Sequence, residues 1–240
     1  MGLIQGVFPD RETVLSGVSP WNRLCAASIG DLLDQASLGE LARGDDVEAD
    51  LGIAIDGAYA VERRLLDGRR VLCALFRQGD LIDLRRVERM RQGKLVALKP
   101  SRFLALDATQ AAHCMSRHTA VADLFANAVR EHFARLRDHA ADLVCKTPAE
   151  RIAAILFEFR RWPDAVVKEG GREAVRIPIQ RSDIADYIGM KPETVSRAIR
   201  ALRRDGLIAI PRPDRIVLAD MPSLRRIANG GRPRRSTRVA

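Results

Sequence analysis

The sequence holds four cysteines, Cys25, Cys73, Cys114 and Cys145, and no two of them form a C-x-x-C pair. Zinc sites and disulfide frameworks need closely spaced or patterned cysteines, so this scatter argues against both. Four small buried hydrophobes are the ordinary account of such residues. No uninterrupted apolar run approaches the roughly 18 residues that span a bilayer. The opening Met1 to Asp10 lacks the basic stretch and long apolar core of a signal peptide, and Gly6 stands where a myristoylation signal has Ser or Thr. A cytoplasmic protein with no membrane partner is therefore expected. No G-x-S-x-G nucleophile motif and no Gly-rich phosphate loop accompany the four histidines, so no catalytic residues, metal or cofactor are assigned and the chain reads as a non-enzyme.

What is present is a globular composition, 47% apolar over 240 residues, enough for two domains with their own cores. The net charge of +9 is unevenly placed. From Lys146 onward there are 21 Lys/Arg against 11 Asp/Glu, whereas the first 145 residues hold 19 against 20. A basic excess confined to one half is the electrostatic footprint of a phosphate-binding module.

That half contains Ile179 to Leu202, which reads as two short helices around a tight turn. Ile184, Ala185 and Ile188 give the first helix an apolar face. Gly189 supplies a helix end, and Pro192 suits the first turn of the next helix. Val195, Ile199 and Leu202 continue as a core stripe at i, i+4, i+7. The opposite face carries Glu193, Thr194, Ser196, Arg197 and Arg200, groups that bond to bases and phosphates. An amphipathic helical hairpin of no special function has similar cues. Here two apolar runs follow, Gly206 to Pro211 and Arg215 to Leu218, which form a hairpin around Arg212-Pro213-Asp214. The pattern predicts a winged helix-turn-helix, with Pro192 to about Asp205 as the recognition helix. Double-stranded DNA is the expected partner.

From Pro178 through Leu218 the residues resemble the Crp–Fnr transcription regulators, with Glu193-x-x-Ser196-Arg197 as the FNR/FixK-like form of the reading head. The resemblance implies that Glu193, Ser196 and Arg197 face base edges of TTGA-type half-sites in an inverted repeat. Chemistry agrees, since Glu accepts from cytosine N4 and Arg forks onto guanine O6/N7. Arg181, Lys191, Thr194 and Arg200 are assigned to phosphates and register. The resemblance also implies promoter activation, with RNA polymerase as a further partner.

Upstream, residues 1 to about 36 read as loop and short helices with Ile29, Leu32 and Leu33 as an apolar patch. Asp56-Gly57 and Asp67-Gly68 are hairpin turn signals. Tyr59 to Leu66, Arg70 to Phe76, Lys94 to Leu98 and Arg102 to Leu106 are strand candidates, and Gln78-Gly79-Asp80 is a turn. Regularly spaced short strands predict an antiparallel barrel or jelly roll. The order barrel, long helix, helix-turn-helix again resembles Crp–Fnr proteins, so the fold class is α+β with a cyclic-nucleotide-binding-like domain. Gly79-Asp80 matches the family's turn, but the Gly-Glu pair and the Arg-Ser or Arg-Thr that grip a cyclic phosphate are absent between Leu81 and Lys94. Arg85, Arg86, Arg89, Arg91 and Lys94 read as a solvated face or as substitute phosphate ligands, and DNA binding without a cyclic nucleotide is expected. Oxygen-sensing members carry an N-terminal cysteine cluster. Only Cys25 lies there, so that iron–sulfur sensor is not expected. A haem sensor using Cys73, His113 or His118 as axial ligand is the alternative.

Ala122, Phe125, Val129, His132, Leu136, His139 and Leu143 recur at alternating spacings of 3 and 4, a heptad seam. In the family the equivalent helix pairs with its twin in a homodimer. Packing on the chain's own barrel is the other use open to it. Thr147-Pro148 caps and opens a further helix through Ile152 to Phe159. The expected division is a degenerate sensor domain at 1–118, a dimerisation helix at 119–145, a DNA-binding domain at 146–228 and a basic tail at 229–240.

Overall fold

The computed structural model describes residues 11–34, 36–47, 49–83, 85 and 93–231. Arg86, Arg89 and Arg91, and the tail from residue 232, lie outside them. The chain divides into two compact units, Met1–Arg137 and Asp138–Ala240.

In the first unit, α1 (Arg11–Ser16) and α2 (Ala26–Leu33) precede β1 (Ser37–Leu41), β2 (Leu51–Ala54), β3 (Ala58–Arg64), β4 (Arg70–Arg77), β5 (Leu81–Asp83), β6 (Gly93–Ala97) and β7 (Ser101–Leu106). α3 (Ala108–Arg117) and α4 (Thr119–Cys145) follow. The strands form two antiparallel sheets, ordered β1-β7-β2-β5 and β4-β3-β6, which are not hydrogen-bonded into one closed barrel among the described residues. Side chains alternate across a strand, so β7 serves two cores. Leu104 and Leu106 pack with Leu15, Trp21, Leu32, Val121 and Phe125 of the helical layer. Phe103 and Ala105 face the second sheet with Tyr59, Phe76 and Leu95. The fold is α+β with jelly-roll-like sheets, as expected.

One turn assignment is corrected. Asp67-Gly68 does close a hairpin, joining β3 to β4 with Gly68 N–H donating to the Leu65 carbonyl at 2.9 Å. Asp56-Gly57 does not. β2 pairs with β5 and β7, and β3 with β4 and β6, so this turn carries the chain from one sheet to the other. The Asp56 carboxylate is spent on β7, accepting from the Arg102 amide at 2.8 Å and its guanidinium at 2.6 Å.

In the second unit, α5 (Pro148–Arg160) opens with a capping box in which the Thr147 amide donates to Glu150 at 2.8 Å. A hairpin of β8 (Val166–Glu169) and β9 (Arg172–Arg176) leads to α6 (Arg181–Tyr187) and α7 (Pro192–Arg204). β10 (Ile208–Arg212), β11 (Arg215–Leu218) and α8 (Met221–Ala228) complete it. The sheet runs β10-β11-β9-β8, so the wing is continuous with the earlier hairpin.

β2 is packed so closely that Gly52 has no room for a side chain. A methyl there would run into the Phe103 ring and lie 2.6 Å from the Leu104 carbonyl oxygen. Overpacking of a core costs about 1–3 kcal/mol. Gly52→Ala should therefore lower the thermal midpoint by several degrees, measured by circular dichroism. Gly68 has open space but a φ of +83°, so Gly68→Asn, the side chain that best tolerates that backbone, should cost less than Gly52→Ala.

Candidate nucleic-acid interface

The interface is fixed by which side of α7 is buried. Val195, Ala198, Ile199 and Leu202 are all buried beneath it. Glu193, Arg197 and Arg200 then fall at i, i+4 and i+7 on the outer side, and all three are exposed. Thr194 and Ser196 are partly exposed beside them. Arg197 Nη2 donates to Thr194 Oγ1 at 3.4 Å, and Arg200 Nε to the Ser196 carbonyl at 3.3 Å. Both bonds are long, leaving the guanidinium groups available to a partner.

The preceding helix is held by local geometry. Asp183, fully buried, accepts from the Gln180 amide at 3.3 Å, and Ile184, Ala185 and Ile188 face the core. Ile188 N–H closes the helix on Ile184, and Met190 N–H reaches the Ala185 carbonyl at 2.9 Å. Gly189 between them sits at φ +64°, a conformation glycine adopts without Cβ strain. Lys191 and Arg181 are exposed at the starts of α7 and α6. All seven predicted DNA-facing residues thus lie on α6, α7 or the residue before α7.

The wing tip is partly neutralised. Glu169 of β8 accepts from Arg215 at 2.5 Å and lies 3.6 Å from Arg212. The β8–β9 hairpin that supplies this carboxylate was missed by sequence reasoning, because its strands are short and charged. The Gly170-Gly171 tip was the signal that could have found it.

A Crp-like helix-turn-helix domain model matches residues 150–227. The nitrogen fixation regulation protein FixK of Azorhizobium caulinodans is 28% identical over 208 residues, covering 84% of this chain and 80% of that protein. FixK of Bradyrhizobium diazoefficiens is 41% identical over 83 residues, about a third of each chain at 35% and 34%. Residues 150–227 thus match a Crp-like helix-turn-helix domain, and the likeness to FixK extends over most of the chain. The structure of FixK2 from Bradyrhizobium japonicum shares its fold, with a TM-score of 0.66 at 24% identity over 80% of this chain and 96% of that one. The proteins this chain resembles are named as regulators of transcription or of nitrogen fixation. No helix among the described residues is long and apolar enough to cross a membrane.

Several residues with sensor roles in view at the sequence level are otherwise engaged. Arg85 pairs with Asp83 at 3.2 Å and Lys94 with Asp46 at 2.8 Å. Of the haem-ligand candidates, His118 Nε2 is 2.8 Å from Asp31, while Cys73 and His113 are exposed. The Asp31 carboxyl is held below its usual range, chiefly by that bond to His118. Among the described residues no group of three His, Cys, Asp or Glu side chains is placed to hold a metal. The expectation of four buried cysteines is corrected, since Cys114 alone is buried and Cys25, Cys73 and Cys145 are exposed.

The long helix also departs from the sequence pattern. Phe125 is buried with Trp21 edge-on at 5.8 Å, and Leu136 packs on the core between the sheets. His132 stacks on Phe76 at 4.7 Å, and His139 on Tyr187 at 3.8 Å. Ala122 and Leu143 are half-buried, and Val129 is exposed. The expectation that His132 and His139 face their twins is therefore corrected, because each ring is spent on an aromatic of its own chain. Among the exposed apolar residues, Ala126, Val129, Phe133, Ala140 and Val144 form a stripe mostly one residue along from the heptad positions.

Burial against Phe76 pushes the His132 imidazole down to about 4, with Arg135 adding to the effect. The sign follows from linkage. Above the unfolded value near 6.5 both states are neutral, and this contribution to stability is complete. As pH falls from about 6.5 toward 4, the unfolded chain takes up a proton that the fold refuses, and stability is lost. After allowance for solvent screening, about 1 kcal/mol should disappear between pH 7 and pH 5. His132→Leu should flatten that part of the pH–stability curve in thermal melts. An unchanged slope would show that His132 is not the group responsible.

Proposed function

We propose that the protein is a homodimeric, sequence-specific transcription activator, acting in the cytoplasm on an inverted repeat of TTGA-type half-sites and contacting RNA polymerase. In this reading Glu193, Ser196 and Arg197 read base edges, while Arg181, Lys191, Thr194 and Arg200 hold phosphates. The observation that carries it is the α7 surface, where Glu193, Arg197 and Arg200, with base- and phosphate-binding chemistry, stand exposed on one stripe opposite a buried apolar one. The likeness to FixK proteins, named as nitrogen fixation regulation proteins, and to the transcriptional activator FnrL of Cereibacter sphaeroides supports the activator role.

Dimerisation is supported by the exposed stripe on α4. Val129 is 60% exposed, Phe133 68% and Val144 84%, and such surface on one helix calls for a partner. The twin helix of a second copy is the partner this reading assigns. The division into a regulatory domain, a dimerisation helix and a DNA-binding domain goes with it. Action without a cyclic nucleotide is supported by the engaged Arg85 and Lys94, and by the aromatic filling of the space between the sheets by Tyr59, Phe76 and Phe103.

Fluorescence anisotropy on matched and mismatched operators at stated salt tests base reading. Arg197→Ala should cost about 1–3 kcal/mol on the matched operator and relax preference at one base pair. Lys191→Ala should weaken all sequences alike and reduce the salt slope by about one. Millimolar cyclic AMP should change wild-type affinity by less than about tenfold, the 1.4 kcal/mol that would mark coupling. Equal binding of all operators by wild type and Arg197→Ala would remove this assignment of the reading face.

For the dimer, Phe133→Asp places a charge on the exposed stripe without touching the chain's own core. Sedimentation should show wild-type dimers and a largely monomeric variant with unchanged circular dichroism. A wild-type monomer, or a variant that stays dimeric, would count against this seam.

A further inference from the structure

Arg151 sits in the first turn of α5, next to Glu150 of the capping box. A cation is electrostatically misplaced there, because the start of a helix carries the positive end of its dipole. Its guanidinium instead reaches three carbonyls that belong to other helix ends. Nε donates to Lys146 at 3.0 Å, Nη2 to Leu143 at 2.7 Å and Nη1 to Ile188 at 2.9 Å. Leu143 lies in the last turn of α4, Lys146 just follows it, and Ile188 is the C-cap of α6. The last carbonyls of a helix lack partners within it and carry the negative end of the dipole. One side chain therefore answers two helix C-termini at once.

One further contact, and a glycine with room beside it, lie next to it. The Tyr187 and His139 rings stack within 2° of parallel at 3.8 Å. A Cβ at Gly189 would stand 3.4 Å from Leu143 Cδ2 and 3.8 Å from Arg151 Nη1. The helix-turn-helix turn is thus seated on the end of α4 by the Arg151 bonds and the Tyr187–His139 stack, and Arg151 supplies the charged one of these. Guanidinium geometry matters here, since a lysine ammonium has the charge but not the planar fork.

We infer that Arg151 is a positioning residue for operator recognition: it locks the α6–turn–α7 unit to the end of α4 and so sets the separation of the two reading helices in a dimer. The inference rests on the dimeric reading above. Arg151 itself stands outside the assigned base- and phosphate-contacting set.

The test uses the full chain, binding operators with two half-sites at the preferred spacing, the same half-sites one base pair farther apart, and a single half-site. Wild type should lose about tenfold or more with the added base pair, because half-site separation mirrors the protein's geometry. Arg151→Gln should lose about tenfold on the preferred operator, less than about threefold on the single half-site, and most of the spacing penalty. Arg151→Lys should behave like Arg151→Gln and not rescue it. Amide exchange at Met190 and Lys146 should rise in both variants while Val195 to Leu202 stay protected. The inference is overturned if Arg151→Gln keeps wild-type affinity and spacing penalty, or if it loses half-site and full-site binding alike. If wild type itself shows no spacing preference, the dimeric reading fails instead. Amide exchange then decides on Arg151 alone, and unchanged exchange at Met190 and Lys146 overturns the lock.

Discussion

The rotation of α7 about its own axis is the constraint on which the DNA-facing surface depends. A helix advances about 100° per residue, so burying Val195, Ile199 and Leu202 leaves no freedom in where Glu193, Arg197 and Arg200 point. α5 and the first wing strand pack on α7, and Ile155, Phe159 and Ile216 line one cavity with Ile199. A one-residue slip would turn the reading groups toward this packing and expose the apolar stripe. The placement of these exposed groups is therefore set by packing on the opposite side of the helix.

The long helix answers to two different environments. Up to Arg137 its buried positions, Val121 and Phe125 above all, belong to the cores of the first unit. From Asp138 onward it belongs to the second unit, with His139 on Tyr187 and the Leu143 carbonyl accepting from Arg151. A helix with one buried face and a second apolar stripe outside it has more apolar surface than its own chain covers. That surplus is the physical ground for assigning a twin.

The helix-turn-helix was legible in the sequence because everything that specifies it is local: a 3.6-residue period, a glycine at the turn and a proline at N1. Sheet pairing was not legible in the same way. β2 shows four buried residues in succession, since both its faces are covered, and such a run carries no alternation to read. Asp56-Gly57 has the composition of a hairpin turn, and only the long-range strand pairings show that it crosses between sheets. The seam on α4 was legible as a period but not as a register. A spacing of 3 and 4 is satisfied equally by a twin helix and by the chain's own core, and burial decides between adjacent positions. Arg151 gave no sequence signal because its acceptors are backbone carbonyls, which every residue type supplies, and one of them, at Ile188, lies far along the chain.

The uneven charge of the chain also has a structural side. The second unit's excess of cations is made available by the way its acids are consumed. Glu173 is held by Arg160 at 2.5 Å, which keeps its carboxyl below the usual range. Asp220 caps α8 through the Ser223 amide at 3.0 Å, and that bond likewise lowers its carboxyl. Asp183 is buried on the Gln180 amide, and Glu169 lies between two wing arginines. Each of these carboxylates is tied to a local structural task, while Arg181, Lys191, Arg197 and Arg200 stay on the surface. Glu193 is the acid that stands among them, and its place in the first turn suits the helix dipole. A negative group exposed in so basic a surface weakens attraction for phosphate. Its presence there makes sense where it accepts a hydrogen bond from a base, which is the exchange of general affinity for sequence discrimination that a regulator needs.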